Sequence, residues 1–210
     1  EIGTHPATAL ILGGLAAAVL RGRFASMALV IAPILGLWHV HTLEVGSASS
    51  LALFGYDIIG VAVDQQAKLF GYLFHLAALV AGIYSFHLRD PWQISMALLY
   101  AATAVGVAFA GDMLSLFLWW EGLAITSVFQ IWGRKAKQAE ESGFRYLFFH
   151  VSSGLLLLAG ILFRYHGEGA SALSLEPLTK ALEAGDLGAW LILLAIGVKA
   201  AFPGLHVWLK

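Results

Sequence analysis

The sequence predicts an all-α integral membrane protein, and three observations lead there. The chain has 210 residues, of which 60% are hydrophobic and only 12% charged, about half the charged share of a soluble domain. Its mean hydropathy is +0.81. Its apolar residues fall in runs of about 15–22 separated by short polar joints, the length that a helix needs to cross hydrocarbon. No run alternates in the manner of a transmembrane strand. The net charge of -1 argues against a nucleic-acid partner, which calls for a basic patch, and the absence of cysteine excludes disulfides and thiolate metal sites in this chain.

Seven spans are read in order, at about 6–20, 24–40, 68–88, 91–110, 112–133, 144–164 and 188–209. The first is short and rich in glycine and alanine. Pro6 and Pro91 stand where helices begin, a position that tolerates proline because its missing N–H would be unpaired there. The joint 41–67 is too polar and too rich in glycine and serine to span; its "LALFGYDIIGVAVD" suits a short surface hairpin. Residues 1–90 are thus read as N-terminal helices carrying an outer loop or hairpin at 41–67, with 91–210 as a second region. The other long joint, 165–187, contains "SALSLEPLTKALEAGD", which reads as a short amphipathic surface helix. The chain opens on Glu1 and stops inside an apolar stretch, so it is read as the N-terminal portion of something longer.

Orientation follows from lysine and arginine, which collect on the inner side of a membrane. With the N-terminus outside, the inner joints hold Arg21, Arg23, Arg89, Arg134, Lys135, Lys137 and Arg145, with Lys210 at the inner end of the last span. The outer joints hold only Lys68, Arg164 and Lys180. Acids sort the other way, with Glu1, Glu44, Asp57, Asp64, Asp112, Glu168, Glu176, Glu183 and Asp186 outside. A bacterial inner membrane with the N-terminus on its outer side is the expected location.

Of the 12 basic and 13 acidic side chains, only Glu121 and Lys199 remain inside spans. Each lies roughly ten residues into its helix, near the midplane at about 1.5 Å per residue. Neither finds a partner three or four positions away: Glu121 has Phe117, Leu118, Ala124 and Ile125, and Lys199 has Ala195, Ile196, Phe202 and Pro203. An ion pair that merely fixes packing is one explanation. Intramembrane ionisable residues are more often part of an ion path or proton relay. The expectation is that the two side chains face each other, in direct or one-water contact, as a proton-handling pair: a carboxylate that approaches or leaves a desolvated lysine changes the lysine's hold on its proton.

Pro203 and Gly204 follow in "GVKAAFPGLHVWLK", where proline removes a helix hydrogen bond. A broken helix between about Lys199 and His206 is expected, a feature of transporters at midplane depth. His150 and His206 are candidate relay groups near neutral pH; His75 is a weaker one. No histidine and carboxylate cluster has metal-ligand spacing and no phosphate-binding glycine pattern occurs, so no cofactor and no metal are expected. Tryptophans fall mainly at span ends, as an interfacial belt requires, while Trp119 and Trp120 lie deeper and are read as packing.

Three stretches, "GDMLSLFLWWEGLAITSVF" (111–129), "GFRYLFFHVSSGLLLLAGI" (143–161) and "LILLAIGVKAAFPGLHVWLK" (191–210), resemble the antiporter-like subunits shared by Mrp-type sodium/proton antiporters and the membrane arm of respiratory complex I. The likeness is greatest to the D-type Mrp subunits. It implies a fold of about fourteen spans with two inverted five-helix repeats, of which 91–210 would be most of the first. It also implies that Glu121 and Lys199 correspond to the family's glutamate–lysine pair. Lys210 stands where members often continue with proline and is given no role. The expected function is a proton-translocating membrane subunit of a multisubunit monovalent cation/proton antiporter, with other subunits and the bilayer as partners. The alternatives are a proton-pumping subunit of a complex I-like quinone reductase or membrane hydrogenase, which alone would make it part of an enzyme, and a non-transporting scaffold.

Overall fold

A computed structural model describes residues 3–53, 55–133, 136–175, 178–206 and 208. Eight α-helices and one two-stranded sheet are present among them, and the chain divides into two compact units, Glu1–Gly111 and Asp112–Lys210.

The first unit contains α1 (Thr8–Val19), α2 (Arg23–Thr42), the strands β1 (Ala48–Leu53) and β2 (Tyr56–Ala62), α3 (Gln65–Tyr84) and α4 (Pro91–Phe109). The strands pair antiparallel with a register shift at Ser49/Ser50. The hairpin is tied to the end of α4, where the Gly111 N–H donates to Ile59 O at 3.0 Å. A Cβ at Gly111 would sit 2.3 Å from the Ile59 side chain, so only glycine allows that approach. The helices pack with α1 against α2 and α4, and α3 against α2 and α4. His75 is buried where α2 and α3 meet. Its Nδ1 donates to Gly71 O at 2.7 Å, and its ring fills the notch at Gly36, where a Cβ would lie 2.1 Å away.

The second unit contains α5 (Met113–Trp132), α6 (Lys137–Glu168), a 3-10 turn (Gly169–Leu173), α7 (Thr179–Glu183) and α8 (Leu187–Lys199). α6 packs against both α5 and α8. Met113, Trp120, Leu157, Ile161, Leu173, Ile192 and Ala195 form its core. Ser153 of α6 donates to the carbonyl of Ala195 in that core at 2.8 Å.

Among the described residues, five helices are long and apolar enough to cross a membrane: α2, α3, α4, α5 and α6. The first and last of the seven expected spans differ. α1 has 12 residues and α8 has 13, which at about 1.5 Å each reach only part of a hydrocarbon core of about 30 Å. α6 begins seven residues before the expected 144, because polar residues 137–143 extend the helix beyond its apolar part. The amphipathic segment in 165–187 is helical only over the five residues of α7. Large apolar side chains such as Leu69, Val80, Phe148 and Leu155 are exposed, as they are when the surrounding solvent is lipid or another subunit.

Acids that sort to helix joints also have local work. Asp64, Asp112 and Asp186 cap the first turns of α3, α5 and α8 by accepting from Ala67, Ser115 and Ala189 N–H. Asp112 and Ser115 form a reciprocal capping box.

Candidate functional site

The second unit brings Glu121 and Lys199 into one site through α6. Glu121 projects from the middle of α5 onto Gly154 of α6, where a Cβ would lie 1.7 Å from Glu121 Oε1. Glycine is the only residue that leaves room for that carboxyl. Oε1 is buried, with no hydrogen-bond partner among the described residues. A buried carboxylate oxygen left unpaired costs about 1–3 kcal/mol or more, so this position is strained in energy rather than in packing.

Lys199 is the last residue of α8 and half-buried. Its Nζ donates to Trp120 O at 2.9 Å and lies 4.1 Å from the centroid of the Trp120 ring. Of the expected direct or one-water contact with Glu121, the direct form is not made: among the described residues, no hydrogen bond or ion pair joins the two. They remain within electrostatic reach of each other. The helical carbonyl of Trp120 keeps a second lone pair for the lysine, and the indole face is an attractive seat for a cation. Trp120, read from the sequence as packing, thus holds the lysine one residue away from the acid.

What ends α8 is its own C-terminal geometry, ahead of the proline. Ala201 has φ 55°, and Phe202 N–H donates to Gly197 O at 2.8 Å while Ala201 N–H donates to Val198 O at 3.3 Å. This is a Schellman closure with alanine where glycine is usual. Phe202 folds back over the bare Gly197, where a Cβ would meet its ring at 2.9 Å. Pro203 and Gly204, at φ 89°, then form the turn closed by Leu205 N–H to Phe202 O at 2.8 Å. The backbone leaves the helix at the lysine itself.

His150 is buried on α6, one turn from Gly154, and within electrostatic reach of Lys199. Its ring stacks on Tyr146 with centroids 3.9 Å apart and meets the edge of Trp208 at 4.7 Å. Both ring nitrogens lack a hydrogen-bond partner among the described residues. His206 is not brought to this cluster. It is exposed on the turn after α8, where its Nδ1 accepts from Gly204 N–H at 3.3 Å. Among the described residues, no group of histidine, aspartate and glutamate is arranged to hold a metal ion.

Residues 110–210 match the family described as "NADH:quinone oxidoreductase/Mrp antiporter, TM". The chain is 27% identical over 185 residues to the D-type subunit of the Na(+)/H(+) antiporter of Bacillus subtilis (strain 168), a match covering 81% of this chain and 37% of that protein. It is 35% identical over 119 residues to the NAD(P)H-quinone oxidoreductase chain 4 1 of Synechococcus sp. (strain JA-2-3B'a(2-13)), covering 53% of this chain and 22% of the relative. The fold is similar to that of a chain in the membrane-bound sulfane sulfur reductase, an archaeal respiratory membrane complex, with a TM-score of 0.82 at 22% identity over 99% of this chain and 35% of that one. It is also similar to a chain in the Mrp complex of Dietzia sp. DQ12-45-1b, with a TM-score of 0.75 at 20% identity over 94% of this chain and 22% of the other. The chain spans well under half the length of each.

Proposed function

For a chain whose residues 110–210 belong to the NADH:quinone oxidoreductase/Mrp antiporter family, we propose the role of proton-translocating membrane subunit in a multisubunit monovalent cation/proton antiporter. One observation carries this reading. A carboxylate whose Oε1 is buried without a partner among the described residues, midway along α5, and a lysine at the end of α8 held on the neighbouring Trp120 carbonyl share one site. Each group costs free energy where it stands, and a packing device would have closed the pair. An open pair has two states. With Lys199 on Trp120, Glu121 Oε1 is available to a proton; with the lysine swung to Glu121, the carboxylate is neutralised by charge instead. Exchange between those states moves a proton without a redox group. His150, one turn along α6 from the Gly154 on which Glu121 rests, is the relay that would pass it on.

The protein would lie in a bacterial cell membrane with its N-terminus outside, and its partners would be the other subunits of the complex, protons and a monovalent cation. The likeness to a D-type antiporter subunit supports this assignment. The likeness to NAD(P)H-quinone oxidoreductase chain 4 supports a second reading, a proton-pumping subunit driven by redox chemistry in other chains. The same station serves both. The gene neighbourhood separates them: small antiporter subunits for the first, iron–sulfur and flavin subunits for the second.

The role of the lysine is tested with Lys199→Ala in the full-length protein within its complex, with complex levels followed by immunoblot. Loss of proton-coupled transport at normal complex levels is expected. Normal transport would leave the third reading, a non-transporting scaffold.

A further inference from the structure

On the face of α6 that carries His150, polar side chains recur at one-turn intervals: Gln138, Ser142, Tyr146 and His150. The repeat ends at Gly154, on which Glu121 rests. At the other end, Gln138 and Ser142 line a cavity of about 610 Å³ together with Gln130, Ile131, Ala136 and Ala139. Between the cavity and His150 stands one hydroxyl pair, Tyr146 Oη and Ser127 Oγ, 2.7 Å apart. Ser127 belongs to α5, three residues before Gln130, so each helix contributes one side chain to the pair and both line the cavity.

We infer that Tyr146 and Ser127 form the proton-conducting link between that polar cavity and His150, giving the Glu121–Lys199 station its connection to one side of the membrane. The inference rests on the proton-handling reading of that station. Its chemistry is a hop along hydrogen bonds. Ser127 Oγ lies within 2.7 Å of Leu123 O and 2.9 Å of Ala124 O as well as near Tyr146, so its single proton has two directions. Pointed at a helix carbonyl, it leaves Ser127 to accept from Tyr146. Pointed at Tyr146, it frees the phenolic proton to move toward His150.

A proton taken from the cavity by Ser127 is matched by one passed from Ser127 to Tyr146 and one released from Tyr146, so no charge stays on either hydroxyl. The Tyr146 and His150 ring centroids lie 3.9 Å apart, the rings tilted by 32°, and neither imidazole nitrogen bonds to a described residue, so the last step would need a water between the phenol and the imidazole. A buried imidazole with both nitrogens unpaired by protein favours such a molecule. The cavity lies at the helix ends next to Lys137, the side that the lysine and arginine distribution assigns to the interior.

The test uses Tyr146→Phe, Ser127→Ala and Ser127→Thr in the full-length protein within its complex, with pH-gradient transport in everted vesicles and complex levels by immunoblot. Tyr146→Phe keeps the ring on His150 and removes only the hydroxyl. The expected result is at least a fivefold fall in transport rate for Tyr146→Phe and Ser127→Ala, no change in the half-saturating cation concentration, and near-normal rates for Ser127→Thr. Wild-type rates in Tyr146→Phe or Ser127→Ala would overturn the route. If Tyr146→Phe lowers complex levels, the contrast between Ser127→Ala and Ser127→Thr decides alone, and equal rates for the two overturn the link. Glu121→Gln in the same assay separates the questions. An inactive Glu121→Gln beside an active Tyr146→Phe removes the route and keeps the station; an active Glu121→Gln removes the station itself.

Discussion

The ammonium of Lys199 donates to the carbonyl of Trp120 at 2.9 Å and lies 4.1 Å above its indole, one residue short of Glu121. The lysine thus has a seat other than the acid, and the free energy of that seat sets how readily it leaves. A seat made of a backbone carbonyl and an aromatic face is weaker than a carboxylate at contact distance, which would suit a group that moves as the proposed role requires.

Trp120→Leu keeps an apolar side chain in the core and removes the indole face. A cation over an aromatic ring gains roughly 0.5–2 kcal/mol, and each pH unit corresponds to about 1.36 kcal/mol. Removing an interaction made only by the charged lysine should therefore move the midpoint of the transport pH profile to lower pH by roughly 0.4–1.5 units, with Trp120→Phe in between. A fall in maximal rate with an unmoved midpoint would make Trp120 a packing residue only.

Gly154→Ala places a methyl 1.7 Å from Glu121 Oε1. Alanine favours the helix by about 1 kcal/mol over glycine, so α6 itself should not suffer. The carboxyl has to leave its seat, and transport in the assembled complex should drop severely. Glu121→Asp, shorter by one methylene, should recover part of the activity when added to Gly154→Ala, measured as proton-coupled transport at matched complex levels.

Much of this was legible in the sequence, and the parts that were not have physical reasons. Hydrophobic run length located α2 to α5 closely, because lipid demands uninterrupted apolar helices and short polar joints. It misjudged the start of α6, where water-facing turns continue a helix without any apolar signal. Glu121 and Lys199 stood out because charge at midplane depth is rare. Their exact partners did not, since a hydrogen bond to the Trp120 carbonyl leaves no trace in side-chain identity. Gly154 carried a signal that only the packing explains, as any helix accepts a glycine. The one-turn repeat of Ser142, Tyr146 and His150 was visible in principle, but its partner Ser127 lies on another helix.

The end of α8 offers a test of the local account. Ala201 adopts φ 55°, a left-handed conformation that costs a residue with a Cβ about 1–2 kcal/mol. Ala201→Gly should relieve that strain and raise the thermal stability of the detergent-solubilised protein by a few degrees at most. Gly204→Ala, at φ 89°, should lower it. Opposite signs for the two, read by a thermal-shift assay, support the Schellman closure followed by the Pro203–Gly204 turn; a destabilised Ala201→Gly contradicts it.

The most direct measurement of the central claim is proton-coupled cation transport by Glu121→Gln in the full-length protein within its complex, assayed as pH-gradient dissipation in everted vesicles beside an immunoblot of complex levels. Glutamine keeps the shape that fits over Gly154 and removes only the proton site. The account predicts normal complex levels with transport abolished or strongly impaired. Normal transport at normal complex levels would contradict it and make the carboxylate a packing device.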